Sequence, residues 1–161
     1  IFTPFYKAYF LSIEMPDAKD LIQYFQDLGP FPSGENLLYK RKTIRSAGLL
    51  LRQFHQEGFF HGDLQLKNIL ITGDQLFLID FDRSYRKSVL PVMKRMKNLL
   101  RLDRSVEKWK RFGLPITRTD CWRFFLAYAG EDREIQEAMK KAIRTYSIRY
   151  LFYRIGWMLE R

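Results

Sequence analysis

Apolar residues recur every three or four positions over most of the chain, which is the spacing of amphipathic helices. In the first half this spacing predicts a short helix over residues 17–28, ended by Gly29 and Pro30, and a longer helix over residues 38–57. Gly58 follows the longer helix at the position where glycine commonly ends one. That helix would turn one face to the core, formed by Ile44, Ala47, Gly48, Leu51, Phe54 and His55.

Extended structure is predicted at two places in the same half. Residues 6–14 combine aromatic and aliphatic side chains at the density of a strand, and Pro16 ends the run. Further on, the apolar runs 69–71 and 75–79 flank the turn 72–74, which contains a glycine. These two runs are therefore expected to form a hairpin.

Beyond Asp82 the pattern predicts helices only. One is expected over residues 91–111 and a second over residues 119–128, with Thr119 as its cap and Gly130 as its stop. A third would run from residue 132 towards the end of the chain. The chain is thus predicted to be α+β, with a small hairpin and a mostly helical second half.

The composition is that of one folded domain of ordinary size, since 47% of the 161 residues are apolar and 16% are aromatic. No uncharged apolar run reaches the roughly 18 residues of a membrane-spanning helix. Cys121 is the only cysteine, which excludes an internal disulfide, favours a reducing compartment and leaves oxygen ligands for any metal. Because the chain begins with Ile1 rather than Met, it is expected to be part of a longer product.

Charge is distributed unevenly around a net value of +10. Residues 1–82 carry 8 Lys and Arg against 10 Asp and Glu, whereas residues 83–161 carry 20 against 8. Such a basic segment is expected to meet a polyanion, and nucleic acid, an acidic membrane or a phosphorylated glycan would each satisfy it. A solvated helix face is the open alternative. The candidates for contact with an anionic substrate or membrane are Lys94, Arg95, Lys97, Arg101 and Arg104.

Two segments carry groups suited to catalysis, residues 61–68 before the hairpin and residues 78–82 at its end. Asp63 and Asn68 are five positions apart and Asp80 follows the second strand, which is the order of the catalytic loop and metal-binding aspartate of kinases. Phosphoryl transfer to an alcohol needs a carboxylate that takes the hydroxyl proton and oxygen ligands that hold Mg²⁺. Asp63 is therefore the candidate base, and Asn68 and Asp80 are the candidate Mg²⁺ ligands. Each of them alone would more readily be a turn or capping residue.

Four neighbouring residues are given supporting roles. Lys67 is a candidate for neutralising the transferring phosphate, with a solvated lysine as the alternative. His61 is expected to shape the loop by packing and hydrogen bonding. Asp82 is expected to shape it by accepting backbone N–H bonds in the turn after Phe81, with an additional carboxylate near the metal as the alternative. His55 is expected to lie in the core.

The segments HGDLQLKNIL (61–70) and LIDFDRS (78–84) together resemble the bacterial lipopolysaccharide kinases. This group includes the 3-deoxy-D-manno-octulosonic acid (Kdo) kinases and the core heptose kinases, and its fold is protein-kinase-like. Residues 97–105 and 122–128 also resemble the C-terminal part of that family. The resemblance implies an ATP-dependent kinase in which Asp63 is the base and Mg²⁺ is held by the two ligands named above.

The resemblance also implies the acceptor and the location. The acceptor would be a Kdo or heptose hydroxyl in the inner core of lipopolysaccharide, linked to lipid A. The protein would be cytoplasmic and peripheral on the inner membrane, with the anionic membrane surface as a partner and no nucleic acid expected. Gly62 stands where protein kinases carry the Arg that reads a phosphorylated activation loop, Gln65 where they carry Lys, and no Ala-Pro-Glu follows. A peptide substrate is therefore not expected.

Within a kinase-like fold, residues 1–16 are interpreted as the last strand and hinge of the N-terminal lobe. Glu14 and Met15 are candidates for contact with adenine, with a plain strand end as the alternative. Residues 17–161 would be the C-terminal lobe. Its parts would be the catalytic loop 61–68, the metal motif 80–82 and the basic helical part 83–161. The chain contains no Gly-rich loop or strand Lys, so the N-terminal lobe would be largely missing and the fragment alone is expected to be inactive.

Three alternatives stay open. The His-Gly-Asp sequence also resembles the aminoglycoside and choline phosphotransferases, although those would be expected to have an acidic acceptor pocket. A RIO-like or tRNA-modification-associated kinase would use the basic charge to bind RNA. The third alternative is an inactive kinase-like binding module.

Overall fold

The computed structural model describes residues 14–142 and 144–145. The predicted strand over residues 6–14 lies outside the described residues except for Glu14, as does the end of the predicted last helix. Residues 133–142 are helical. The other elements, in chain order, are β1 (Lys19–Asp20), α1 (Leu21–Asp27), α2 (Gly34–Gln56), β2 (Phe59–Phe60), a 3-10 turn (Leu66–Asn68), β3 (Ile69–Thr72), β4 (Gln75–Leu78), β5 (Tyr85–Arg86), α3 (Val92–Lys110) and α4 (Arg118–Ala129).

Helices α2 and α4 pack closely because a glycine lies at their contact. A Cβ at Gly48 would lie 2.8 Å from the Cβ of Ala127 and 2.9 Å from the carbonyl oxygen of Phe124. A buried ion pair joins the same helices, with Lys40 Nζ 2.7 Å from a carboxylate oxygen of Asp120. The two helices are therefore held together by close packing and by an ion pair, and α2 also contacts β2 and β4.

The strands form two small antiparallel sheets that bracket residues 61–68. One sheet has the order β1, β3, β4, with Lys19 opposite Ile71. The hairpin of β3 and β4 confirms the sequence prediction, and its two-residue turn begins with Gly73 at φ +54°. The other sheet pairs β2 with β5. Because β2 enters the 61–68 loop and β3 leaves it, both ends of the loop are anchored in sheets.

Three predicted helix starts are wrong for local reasons. Helix α1 starts at Leu21 rather than at residue 17, because the Asp20 side chain caps it and Asp17 has φ +57°. Helix α2 starts at Gly34 instead of residue 38. Helix α4 is capped by Thr117 rather than Thr119. In this capping box the Thr117 hydroxyl accepts from the Asp120 N–H and the Asp120 carboxylate accepts from the Thr117 N–H.

The expectation that the chain is wholly helical beyond Asp82 is also wrong, because Tyr85 and Arg86 form β5. Helix α3 follows Pro91 as predicted. His55 is fully buried, which confirms its predicted place in the core. None of the helices in the described part of the chain combines the length and apolar character needed to cross a bilayer.

Candidate active site

Residues 61–68, the candidate catalytic loop, are held in place by one buried side chain of α3. Asn98 is 1% exposed, and its Oδ1 accepts from the His61 N–H at 2.9 Å while its Nδ2 donates to the His61 carbonyl at 2.8 Å. Both main-chain groups of His61 are thereby satisfied away from water, where an unpaired group would cost free energy. The first residue of the loop is fixed against α3.

His55 extends this contact to two more helices. Its Nε2 donates to Asn98 Oδ1 at 3.2 Å, and its Nδ1 accepts from the Tyr128 hydroxyl at 2.6 Å. Burial lowers the pKa of His55 to about 4 and raises the pKa of Tyr128. The imidazole is therefore neutral at physiological pH, and α2, α3 and α4 share one uncharged hydrogen-bond network beneath the loop.

His61 connects the loop to the segment after β4. Its Nε2 donates to the Ile79 carbonyl at 3.0 Å, and its Nδ1 accepts from the Asp63 N–H at 3.1 Å. The ring also packs against Phe81, with centroids 5.3 Å apart. Burial lowers the pKa of His61, which keeps it in the neutral tautomer that these two bonds require. His61 thus sets the spacing between Asp63 and the segment that carries Asp80.

The carboxylate of Asp63 is held by two neighbours. Gln65 Nε2 lies 2.6 Å from Oδ1 and 2.7 Å from Oδ2, while Arg101 Nε donates to Oδ1 at 2.7 Å and its Nη2 pairs with the same oxygen. The hydrogen bond from Gln65, followed by those from Arg101, lowers the pKa of Asp63. The side chain is 28% exposed. Asp63 is therefore ionised, oriented and accessible from solvent, as a general base must be.

Asn68 and Asp80 lie together beside Asp63. The buried Asn68 donates from Nδ2 to the Asp63 carbonyl at 2.8 Å and to Asp80 Oδ2 at 3.2 Å. Asp80 has φ +62°, a left-handed conformation that Asp tolerates better than most residues. Residues 14–142 and 144–145 contain no group of three or more His, Cys, Asp or Glu that could hold a metal. One carboxylate and one amide oxygen nevertheless fit Mg²⁺, which fills its other positions with phosphate oxygens and water.

Gly62 is required by a close backbone approach. A Cβ at this position would overlap the carbonyl oxygen of Asp82 and lie 2.8 Å from the Arg83 carbonyl carbon. The Gly62 N–H donates to Ser84 Oγ at 2.9 Å. These contacts explain physically why no arginine fits at the residue before Asp63.

The role predicted for the Asp82 side chain is not observed. The turn after Phe81 is closed by the Ser84 N–H, which donates to the Phe81 carbonyl at 2.9 Å. Within the described ranges the Asp82 carboxylate is exposed and makes no hydrogen bond. Its main chain, packed against Gly62, is what contributes to the loop.

Lys67 and the candidate adenine-binding residues Glu14 and Met15 are exposed or half-buried. Lys67 is exposed, and its charge adds to the lowering of the Asp63 pKa. Glu14 is exposed, and the Met15 carbonyl accepts from the Ala18 N–H at 3.3 Å. Contact of Glu14 and Met15 with adenine stays a prediction.

The five basic residues singled out in the sequence do not behave alike. Lys94, Lys97, Arg101 and Arg104 are exposed at the spacing of one face of α3. Arg95 is half-buried, and its Nε donates to the Leu90 carbonyl at 3.0 Å. Arg101 stands apart because it reaches Asp63.

No sequence pattern predicted the contact of Asn98 with His61 or the contacts of Gln65 and Arg101 with Asp63. Asn98 and Arg101 are 37 and 38 residues from their partners, too far for any local pattern. One signal was available, since Asn98 lies one turn before Leu102 and both are buried on α3. A polar residue on a buried helix face needs a partner there.

The 61–68 loop begins with a buried main chain and is followed by the β3–β4 hairpin and then by Asp80, and helices pack beneath all three. This arrangement is that of the catalytic lobe of a protein-kinase-like fold. A solved structure of WaaP in complex with acyl carrier protein has this fold, with a TM-score of 0.60 and 22% identity over 83% of this chain and 59% of that chain. The model of the lipopolysaccharide kinase (Kdo/WaaP) family matches residues 2–128. The chain therefore belongs to the lipopolysaccharide kinase (Kdo/WaaP) family, which confirms both the predicted fold class and the family resemblance.

Curated relatives are similar to parts of the chain. The 3-deoxy-D-manno-octulosonic acid kinase of Vibrio cholerae is 35% identical over 104 residues, covering 64% of this chain and 40% of that protein. The enzyme of the same name from Xylella fastidiosa is 44% identical over 63 residues, or 38% of this chain and 24% of that protein. A probable bifunctional tRNA threonylcarbamoyladenosine biosynthesis protein of Methanosarcina mazei is 45% identical over 38 residues, or 24% of this chain and 7% of that protein. The chain spans less than half the length of these relatives.

Proposed function

We propose that the protein to which this chain belongs is an ATP- and Mg²⁺-dependent kinase that phosphorylates a sugar hydroxyl, Kdo or heptose, in the inner core of lipopolysaccharide. The observation that carries this proposal is the Asp63 carboxylate, ionised and held by Gln65 and Arg101 beside Asn68 and Asp80. Membership of the family and similarity to proteins named Kdo kinases support the choice of acceptor.

In this proposal Asp63 orients the acceptor hydroxyl and takes its proton as the oxygen attacks phosphorus. Asn68 and Asp80 would hold Mg²⁺, which neutralises phosphate charge when bound. Lys67 would offset the negative charge that gathers near the transferring phosphate. The main chain at Glu14 and Met15 would contact adenine.

The division of the chain is part of the same proposal. Residues 1–16 would be the end of the N-terminal lobe and the hinge, and residues 17–161 the C-terminal lobe. The clamp on the ATP phosphates would then come from sequence outside this chain.

The basic face of α3 supports an anionic surface as the second partner. Lys94, Lys97 and Arg104 are exposed and, in the described part of the chain, form no salt bridge. Each such cation adds about 1 kcal/mol of attraction near an anionic membrane. We propose that this face rests on the anionic inner leaflet or on the phosphorylated core sugars, and that the protein is cytoplasmic and peripheral on the inner membrane.

Acceptor choice tests the proposed function directly. The full-length protein is incubated with radiolabelled ATP, Mg²⁺ and one acceptor at a time: Kdo–lipid A, a heptose-bearing core, an aminoglycoside, choline or casein. Label is expected on one of the two lipopolysaccharide acceptors, and its loss with Asp63→Ala would show that the label depends on this site. Label on an aminoglycoside, choline or casein instead would contradict the proposal.

A further inference from the structure

A polar cleft of about 480 Å³ opens beside the catalytic loop, between α1, the loop and α3. Its size falls in the range of small-ligand sites. Asp20 contributes to the wall, but its carboxylate is already used to cap α1. The side chains available to a ligand are Gln23, Gln26, Gln65, Lys67, Lys108 and Trp109.

These side chains have the chemistry of a site for an acidic sugar. The indole of Trp109 is half-buried, Lys108 Nζ lies 5.8 Å from its ring centroid, and its exposed part is apolar surface of the kind that the C–H groups of a pyranose ring contact. The amides of Gln23 and Gln26 can each donate to and accept from sugar hydroxyls, while Gln65, whose Nε2 is bound to Asp63, can accept through its amide oxygen. Lys67 and Lys108 add two ammonium groups, and neither forms a salt bridge with the residues that the structure describes. The cleft therefore suits a ligand that is polar, ring-shaped and negatively charged.

The cleft is joined to the candidate base by one shared residue. Gln65 lines the cleft and also binds both oxygens of Asp63, at 2.6 and 2.7 Å. Arg101, which also binds Asp63, belongs to the exposed basic row on α3 that continues through Arg104 to Lys108 at the cleft. Arg101 and Lys108 are two turns apart, about 10 Å along the helix. Gln65 thus connects the cleft to the Asp63 carboxylate, and Arg101 connects the basic row to the same group.

We infer that this cleft is the acceptor subsite, in which Trp109 supports the ring of a carboxylated sugar and Lys67 and Lys108 bind its carboxylate. The inference rests on the proposed function and adds the place and chemistry of acceptor binding. It assigns Lys67 to the acceptor as well as to the phosphate. It also assigns a role to Lys108 and Trp109, which the proposed function does not use. Since Lys108 is exposed on its helix, its substitution is expected to leave the fold intact.

Binding of a sugar acid measures this site without any need for catalysis. Free 3-deoxy-D-manno-octulosonic acid and its uncharged methyl ester are titrated calorimetrically into the full-length protein and into Lys108→Gln. The loss of one charge-assisted contact is expected to weaken binding of the acid about tenfold while leaving binding of the ester unchanged. Lys110→Gln is the matched control, because Lys110 pairs with Glu107 and does not line the cleft.

Two substitutions of Trp109 test whether its indole supports the sugar ring. Trp109→Leu is expected to weaken binding of the acid and of the ester alike, whereas Trp109→Phe retains most of the affinity. Trp122→Leu, on the exposed face of α4, is expected to change neither. In transfer assays Lys108→Gln should raise the KM for the acceptor about tenfold with kcat retained.

The outcomes separate this inference from the proposed function. Wild-type binding that depends on Lys108 in a protein that transfers no phosphate would support the cleft and contradict the kinase. Transfer to a sugar acid that is unaffected by Lys108→Gln and Trp109→Leu would support the kinase and overturn the cleft. No binding of the acid to the wild-type protein, or equal weakening by Lys110→Gln, would also overturn it.

Discussion

Helix α3 sends two side chains to the same loop, three residues apart, and the two contacts differ in burial, charge and target. Asn98 is 1% exposed and uncharged, and it binds the main chain of His61. Arg101 is charged, its side chain is 44% exposed, and it binds the carboxylate of Asp63. One contact holds the backbone of the loop and the other holds its reactive group.

The difference in burial decides what each contact can do. Breaking a buried hydrogen bond leaves its partners unsatisfied at about 1–3 kcal/mol each, so the Asn98 contact is expected to persist through a catalytic cycle. An exposed ion pair contributes only about 0–1 kcal/mol, because water and salt compete with it. Arg101 can therefore release Asp63 at little cost in free energy, while the loop keeps its shape.

The largest expected effect comes from removing the buried contact. Asn98→Leu keeps similar volume but leaves the His61 N–H, the His61 carbonyl and the His55 Nε2–H without their partner. The free energy of unfolding in urea is expected to fall by about 3 kcal/mol or more. Lys97→Gln, the exposed neighbour, should change it by less than about 0.5 kcal/mol. A loss below 1 kcal/mol for Asn98→Leu would mean that the buried contact stabilises the fold no more than the exposed one.

Acid should weaken the buried network next. His55 has a pKa of about 4 in the fold and 6.5 when unfolded, so between these values the unfolded chain binds a proton that the folded chain does not. The free energy of unfolding is therefore expected to fall as the pH drops, by about 2 kcal/mol between pH 7.5 and 5. His61, whose pKa is also lowered, acts in the same direction.

Urea unfolding at the two pH values measures this change, and His55→Gln should flatten it. Equal unfolding free energies at pH 7.5 and 5 would mean that His55 is not buried as a neutral group.

Gly62→Ala tests the other side of the loop backbone. The new methyl group would overlap the Asp82 carbonyl and push residues 82–83 away from the loop. Overpacking of this kind costs about 1–3 kcal/mol, measurable by urea unfolding, and a fall in phosphate transfer is expected with it. Asp82→Ala is the control, because the contact involves the main chain and not the carboxylate. If both variants behave like the wild-type protein, the close approach does not support the loop.

The smallest effect on stability is expected at the exposed contact. Arg101→Gln should change the free energy of unfolding by less than about 1 kcal/mol. The wild-type protein and the variant should also become more alike as salt is added, because salt screens the ion pair. Urea unfolding at 0.05 and 0.5 M NaCl measures both. A cost equal to that of Asn98→Leu would show that the two contacts are equivalent after all.

Much of the fold follows from local patterns. The helical spacing predicted α1, α2, α3 and α4, and the paired apolar runs predicted the hairpin of β3 and β4. The two-residue strands β1, β2 and β5 were not predicted, because each forms only by pairing with a strand far along the chain. The cap of α4 could have been identified, since Thr117 and Asp120 have the spacing of a capping box.

The residues of the candidate site likewise divide into those that a local sequence pattern predicts and those that it does not. Asp63, Asn68 and Asp80 are close in sequence and follow a recognisable order, so they could be selected without a structure. The partners that hold the loop come from another helix. Arg101 was selected as part of a basic surface, because a sequence does not show that one arginine of such a run turns towards a carboxylate 38 residues away.

The assignment of Asp63 as the base is tested by the rate of phosphate transfer by Asp63→Asn in the full-length protein. The rate is measured on samples whose free energy of unfolding is known. The amide keeps the shape of the side chain and removes the base. We expect transfer to the lipopolysaccharide acceptor to fall at least about 100-fold while stability stays within about 1 kcal/mol of the wild-type protein. A rate within a few-fold of wild type would contradict the assignment of Asp63 as the base.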